Sequence, residues 1–186
     1  VFSATPSDVS WESPIIPGTG FCPSSRGSQS WAVPGHASSV APGKRPRLAP
    51  NPAMAMRKGE LAMPFGTPGG DVQCQAMAQV FLNINLFGME VQEAIEAPRF
   101  ATYSHPDSFE PHRASPGKIK MESRVSAEIG DDLQNRGHDL EWWPELIRGA
   151  GAVCTIVHDQ ETGRLFGGAD PRRTSGMMGW EGVKSP

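Results

Sequence analysis

Two stretches of the chain alternate apolar and polar residues and then double back. Ala53-Met-Ala-Met56 and Glu60-Leu-Ala-Met-Pro-Phe65 flank Lys58-Gly59, which predicts a β-hairpin. Ala152-Val-Cys-Thr-Ile-Val157 and Arg164-Leu-Phe-Gly-Gly168 flank a turn over 159–163, which predicts another. Between the hairpins the apolar period lengthens. Met77, Val80, Phe81, Ile84 and Phe87 recur at helical spacing, predicting a helix from Val72 to Leu86 with one face on a sheet. Asp71 stands as its N-cap and Gly88 closes it. A second helix runs from Val91 to Ala97 and stops at Pro98. A third, Ser126 to Asn135, turns Ala127, Ile129 and Leu133 inward and ends at Gly137. Lys118–Glu122 and Asp139–Trp142 read as short strands, and 101–117 as irregular chain. Strands before and after a helical block predict an α+β or layered α/β fold, with the tail from Ala169 leaving the sheet.

Length and composition narrow this further. The 186 residues suffice for a single domain, 1–186, with a real core. Glycine and proline cluster early, so residues 13–52 read as one long loop with almost no regular element. Trp11, Phe21 and Trp31 in or beside it predict that the loop lies ordered against another polypeptide, since free linkers are poor in large aromatics. The opening Val1-Phe-Ser-Ala-Thr5 reads as a strand entered in mid-course, so the chain is expected to be a piece of something longer.

No apolar run approaches the length of a bilayer span, and no membrane partner is expected. The net charge of −3 is small and divides as zero over 1–100 and −3 over 101–186, which gives nucleic acid no basic face. Cys22, Cys74 and Cys154 are too scattered for a disulfide framework or a metal knuckle and are expected to be buried or half-buried thiols. The histidines lack ligand spacing, so no metal is assigned. Lys44-Arg-Pro-Arg47 is expected to be salt-bridged structure, and Asp170-Pro-Arg172 a buried ion pair.

The segment Phe65-Gly-Thr-Pro-Gly-Gly-Asp71 carries the chemistry. Gly69 and Gly70 lie between a strand and a helix, where glycine alone lets bare N–H groups approach a developing negative charge. The helix adds the partial positive charge of its N-terminus. A plain strand-to-helix turn has the same composition.

The strings Ala41-Pro-Gly-Lys-Arg-Pro46, Phe65-Gly-Thr-Pro-Gly-Gly-Asp-Val-Gln73, Phe87-Gly-Met-Glu-Val-Gln-Glu-Ala-Ile-Glu-Ala-Pro-Arg-Phe100 and Gly167-Gly-Ala-Asp-Pro-Arg172 occur in that order. Together they resemble the small subunit of γ-glutamyltranspeptidases, which are N-terminal-nucleophile hydrolases. The resemblance implies the small-subunit half of a four-layer αββα sandwich, completed by a large subunit cut from the same precursor. It implies no cofactor, a small-molecule substrate that is a γ-glutamyl, glutathione-like amide, and cleavage through an acyl-enzyme on a threonine upstream of Val1 whose own α-amine is the base. By the same resemblance Gly69 and Gly70 form the oxyanion hole and Ser7 supports the nucleophile's hydroxyl. Arg26 and Gln29 stand in the segment that grips the substrate, with Gln29 in place of an aspartate and Leu48 and Ala49 in place of two hydroxyls. A related acylase with another acyl group, or a catalytically silent homologue, fits those departures. Relatives occur in periplasmic or secreted form, and the compartment stays open.

Overall fold

The first hairpin forms because Lys58 and Gly59 both take positive φ, 52° and 86°, the twist that a two-residue turn needs between right-twisted strands. It joins Ala53–Arg57 (β1) to Glu60–Gly66 (β2), with a register shift between Ala55 and Met56. In this computed structural model the described residues are 14–20, 25–45, 47 and 50–180. They fall into two compact units: the residues up to Pro50 with Tyr103–Pro116, and Asn51–Thr102 with those from Gly117 onward.

The second unit mixes helices and sheets, as the periodicity predicts. β2 pairs beyond the hairpin with Cys154–His158 (β6), which turns back into Leu165–Gly168 (β7). The resulting sheet has the order β1-β2-β6-β7 and is antiparallel throughout. A second sheet joins Phe100–Thr102 (β3), Lys118–Glu122 (β4) and Asp139–Trp143 (β5), with β3 antiparallel and β5 parallel to the central β4. β3 falls in the stretch that reads as irregular in sequence. At three residues it is too short to show a period.

Three helices complete the unit: Gln73–Asn85 (α1), Val91–Glu96 (α2) and Ala127–Asn135 (α3). Ala76, Met77 and Val80 of α1 and Val91, Ala94 and Ile95 of α2 are buried, with α1 packing on β2 and β3 and α2 on β6 and β7. Two expectations for α1 fail. Asp71 is not its N-cap: Val72 N–H donates to Gly69 O (3.3 Å), so a 3₁₀ turn over Gly70–Val72 already encloses Asp71. Phe87 is not on the buried face but 66% exposed, because the helix ends at Asn85 and Gly88 (φ 67°) turns the chain away. On α3 the inward stripe fails at two of its three positions, Leu133 being half-buried. Ala127 and Ile129 are exposed, and only Gly130 is buried, where the Trp142 ring occupies the space of a Cβ.

Three glutamine side chains bind strand-like backbone on both its donor and its acceptor. Gln75 bonds Thr102 N–H and C=O (2.8 and 3.1 Å), Gln79 bonds those of Phe100 (3.2 and 2.9 Å), and Gln92 those of Ala169 (3.1 and 3.0 Å). Helix side chains thus satisfy β3 on the side away from β4. The thiol expectation is corrected: Cys74 and Cys154 are exposed, Cys74 on an apolar groove of about 590 Å³ bordered by Met54, Phe65, Met77 and Phe81, while Cys22 lies outside the described residues. Among the described residues no helix is long and apolar enough to cross a membrane.

In the first unit the described residues 14–20, 25–45, 47 and 50 are mostly irregular chain. It contains one 3₁₀ turn, Ser25–Gln29, and a lone bridge between Trp31 and Ser39.

Candidate functional site

Gly69 and Gly70 link β2 to the helical turn with φ of 140° and 58°, which side-chain-bearing residues rarely adopt. Their carbonyls accept the bonds that open the helix, from Val72 and Gln73, while no hydrogen bond from either N–H occurs among the described residues. A Cβ on Gly70 would meet nothing within 4 Å. One on Gly69 would lie 3.3 Å from Gly151 Cα, so the corner is closed on one side and open on the other.

The closed side is a seam of backbone against backbone. Gly151 sits at φ 85°, and a Cβ there would come within 3.0 Å of Thr67 Oγ1 and 3.2 Å of Ala76 Cβ. The buried Thr67 hydroxyl fastens the seam, donating to Pro68 O (2.7 Å) and accepting from Ala152 N–H (2.6 Å). The corner's shape therefore rests on the 147–153 segment.

Four buried charged residues hold that segment. Arg172 makes a two-pronged pair with Glu122 (2.6 Å each) and reaches Asp170 at 3.3 Å. Arg99 pairs with Asp170 at 2.7 Å. The same groups then bond the segment's backbone: Ile147 N–H to Glu122 (3.2 Å), Arg99 to Ala150 O (3.1 Å) and Val153 N–H to Asp170 (2.9 Å). Burial alone would raise the Glu122 carboxyl, but the hydrogen bonds and charge of Arg172 outweigh it and hold the carboxyl below its ordinary range. The buried pair expected at Asp170 and Arg172 is present, in a larger network than the sequence suggests.

Of the remaining candidates, Arg26 and Gln29 share the 3₁₀ turn of the first unit. Gln29 is fully buried, yet neither Oε1 nor Nε2 has a partner among the described residues. Ser7, Leu48 and Ala49 lie outside the described residues. Among the described residues no three His, Cys, Asp or Glu side chains gather as a metal site would require. Thr67, Gly151, Arg99 and Glu122 escape sequence reasoning about the site. Thr67 and Arg99 stand inside the quoted motifs, but only contacts far along the chain give them a role.

Residues 13–180 match the family model described as gamma-glutamyltranspeptidase. This chain belongs to the γ-glutamyltranspeptidase family. It is 31% identical over 169 residues to the oxamate amidohydrolase proenzyme of Klebsiella pneumoniae, covering 89% of this chain and 30% of that protein. It is 28% identical over 158 residues to the glutathione hydrolase proenzyme of Pseudomonas sp. strain A14, covering 78% and 24%. The chain thus spans less than a third of the length of these curated relatives. Among solved structures, cephalosporin acylase from Bacillus halodurans superposes with a TM-score of 0.77 at 29% identity, over 90% of this chain and 29% of that one. The relatives of this chain thus include hydrolases and an acylase, and the acylase shares this chain's mixed fold.

Proposed function

We propose that the chain is the small-subunit portion of a γ-glutamyltransferase-like amidohydrolase or acyltransferase. It forms one half, 1–186, of a four-layer αββα sandwich that a large subunit of the same precursor completes. A threonine upstream of Val1 attacks the amide carbonyl, its α-amine taking the proton, and an acyl-enzyme forms as the amine leaves. The N–H groups of Gly69 and Gly70 receive the oxyanion, Ser7 supports the nucleophile, and Arg26 and Gln29 bind substrate. The observation that carries this reading is the diglycine corner, with positive φ at both residues, N–H groups unengaged among the described residues, and no described atom within 4 Å of where a Gly70 Cβ would lie. Donors fixed in advance at such a corner contribute about 10²–10³ in rate each.

The acyl group differs from γ-glutamate. Gripping an α-ammonium calls for a carboxylate, and Gln29 offers a neutral amide with both polar atoms buried and unpaired. This favours an acylase or amidohydrolase whose acyl end lacks an ammonium. The oxamate amidohydrolase and cephalosporin acylase among the relatives support that choice. The exposed apolar side chains of β1 and β2, including Met54, Met56 and Leu61, are surface for the large subunit to cover.

The test is intact-mass analysis of the complete protein incubated with glutaryl- and γ-glutamyl-p-nitroanilide. The expected result is a hydroxylamine-sensitive glutaryl adduct on a threonine N-terminal to Val1, with the γ-glutamyl compound the poorer substrate. A mature protein with no Thr, Ser or Cys at a self-cleavage junction would instead be a silent homologue.

A further inference from the structure

We propose that the first unit holds a binding pocket for a small organic dicarboxylate, built on Lys44, Arg45 and Arg47. The three cations line one hollow of about 460 Å³. None makes an ion pair among the described residues, which corrects the expectation that they are salt-bridged. Three positive charges on one concavity, with no ion-pair partner among the described residues, repel one another, and a bound anion relieves that repulsion. The two guanidinium forks match carboxylates in geometry, and the ammonium adds a point charge.

Hydrogen-bonding capacity lies in the same wall, at Ser30, Ser38 and Ser39. Gly27 and Ser30, which also line the hollow, bracket in sequence the fully buried and unpaired Gln29 amide. The wall is braced before any ligand arrives. The Trp31 ring stacks on His36 at 4.2 Å and on His112 at 4.1 Å, and the Trp31 backbone N–H donates to Ser38 O at 3.0 Å. A braced wall lowers the ordering cost of binding.

Ala37 and Val40 of the lining choose between an organic and an inorganic anion. They have nothing polar to offer a bare oxyanion but suit the methylenes of a carbon chain. A charge of +3 asks for more than one carboxylate. This pocket involves no reacting group.

Isothermal titration of the complete protein at fixed ionic strength, with glutarate, butyrate and inorganic phosphate, tests the proposal. Glutarate is expected to saturate one site about tenfold more tightly than butyrate, one charge-assisted contact being of that size. Combined Arg45→Gln and Arg47→Gln substitution should weaken glutarate binding about tenfold or more with Tm unchanged. If that variant does not fold, Lys44→Gln and the wild-type selectivity still decide. Absence of glutarate binding, equal affinity for glutarate and butyrate, phosphate as tight as glutarate, or a folded variant that binds like wild type would each overturn it.

Discussion

Replacing Glu122 by glutamine in the complete protein should cost about 3–5 kcal/mol of folding free energy, the usual loss when a buried ion pair forfeits one partner. Glu122 is fully buried and accepts from Arg172, Arg124, Arg99 N–H and Ile147 N–H. Glutamine keeps the shape but leaves Arg172 with only Asp170, at 3.3 Å, as an anionic partner. The midpoint of urea unfolding should fall with little change in its slope. Removing both charges together, as Glu122→Leu with Arg172→Met, should cost less than the single change. The sign of the pH dependence follows from the lowered Glu122 carboxyl. Its contribution is fully present above the unfolded-state value of about 4.3 and is lost as pH falls through the lower folded-state value. Wild type should therefore lose stability in acid more steeply than Glu122→Gln. A loss below about 1 kcal/mol, no more than an ordinary hydrogen bond contributes, would contradict the network.

Thr67→Val should lower kcat about 10²-fold, the size of one lost oxyanion donor, with KM little changed. Valine fills the same volume, yet it gives nothing to Pro68 O and leaves Ala152 N–H buried without an acceptor. The seam between Gly69 and Gly151 loosens, and the corner's N–H groups lose their aim. On the proposed oxyanion reading the corner acts in the transition state and hardly at all in the ground state, so kcat is expected to move and KM is not. Thr67→Ser keeps the hydroxyl and should restore most of the rate. Hydrogen exchange over residues 66–72 reads the same seam without turnover: faster in the valine variant, near wild type in the serine variant. Wild-type kcat in a folded Thr67→Val enzyme would separate Thr67 from the site.

The sequence made the larger elements legible where period and punctuation agree. Lys58-Gly59 and the polar 159–163 turn mark both hairpins, and Pro98 stops α2. What it concealed depends on distance along the chain. Whether Phe87 or Met77 faces inward is decided by where α1 stops, and that is set by Gly88 rather than by the stripe. The inward side of α3 is chosen by Trp142, which needs a glycine opposite it. At the candidate site, the diglycine can be read as a turn from its composition, and its motif context gives it a role. Thr67 and Gly151 are a hydroxyl and a glycine until β2 brings the two segments together, and Glu122 reads as one more polar residue on a strand. The Lys44–Arg47 cluster reads as salt-bridged structure in sequence, whereas among the described residues no carboxylate pairs with it.

The central claim is that Gly69 and Gly70 hold the oxygen of the reacting carbonyl. A crystal structure of the complete protein phosphonylated by an aryl phosphonate ester bearing a glutarate-like chain, with the aryloxide as leaving group, tests it, since the phosphonyl oxygen stands where the oxyanion forms. The account predicts that oxygen at about 2.7–3.1 Å from both backbone nitrogens. An adduct whose oxygen points to other donors, with the two glycine amides facing elsewhere, would contradict it.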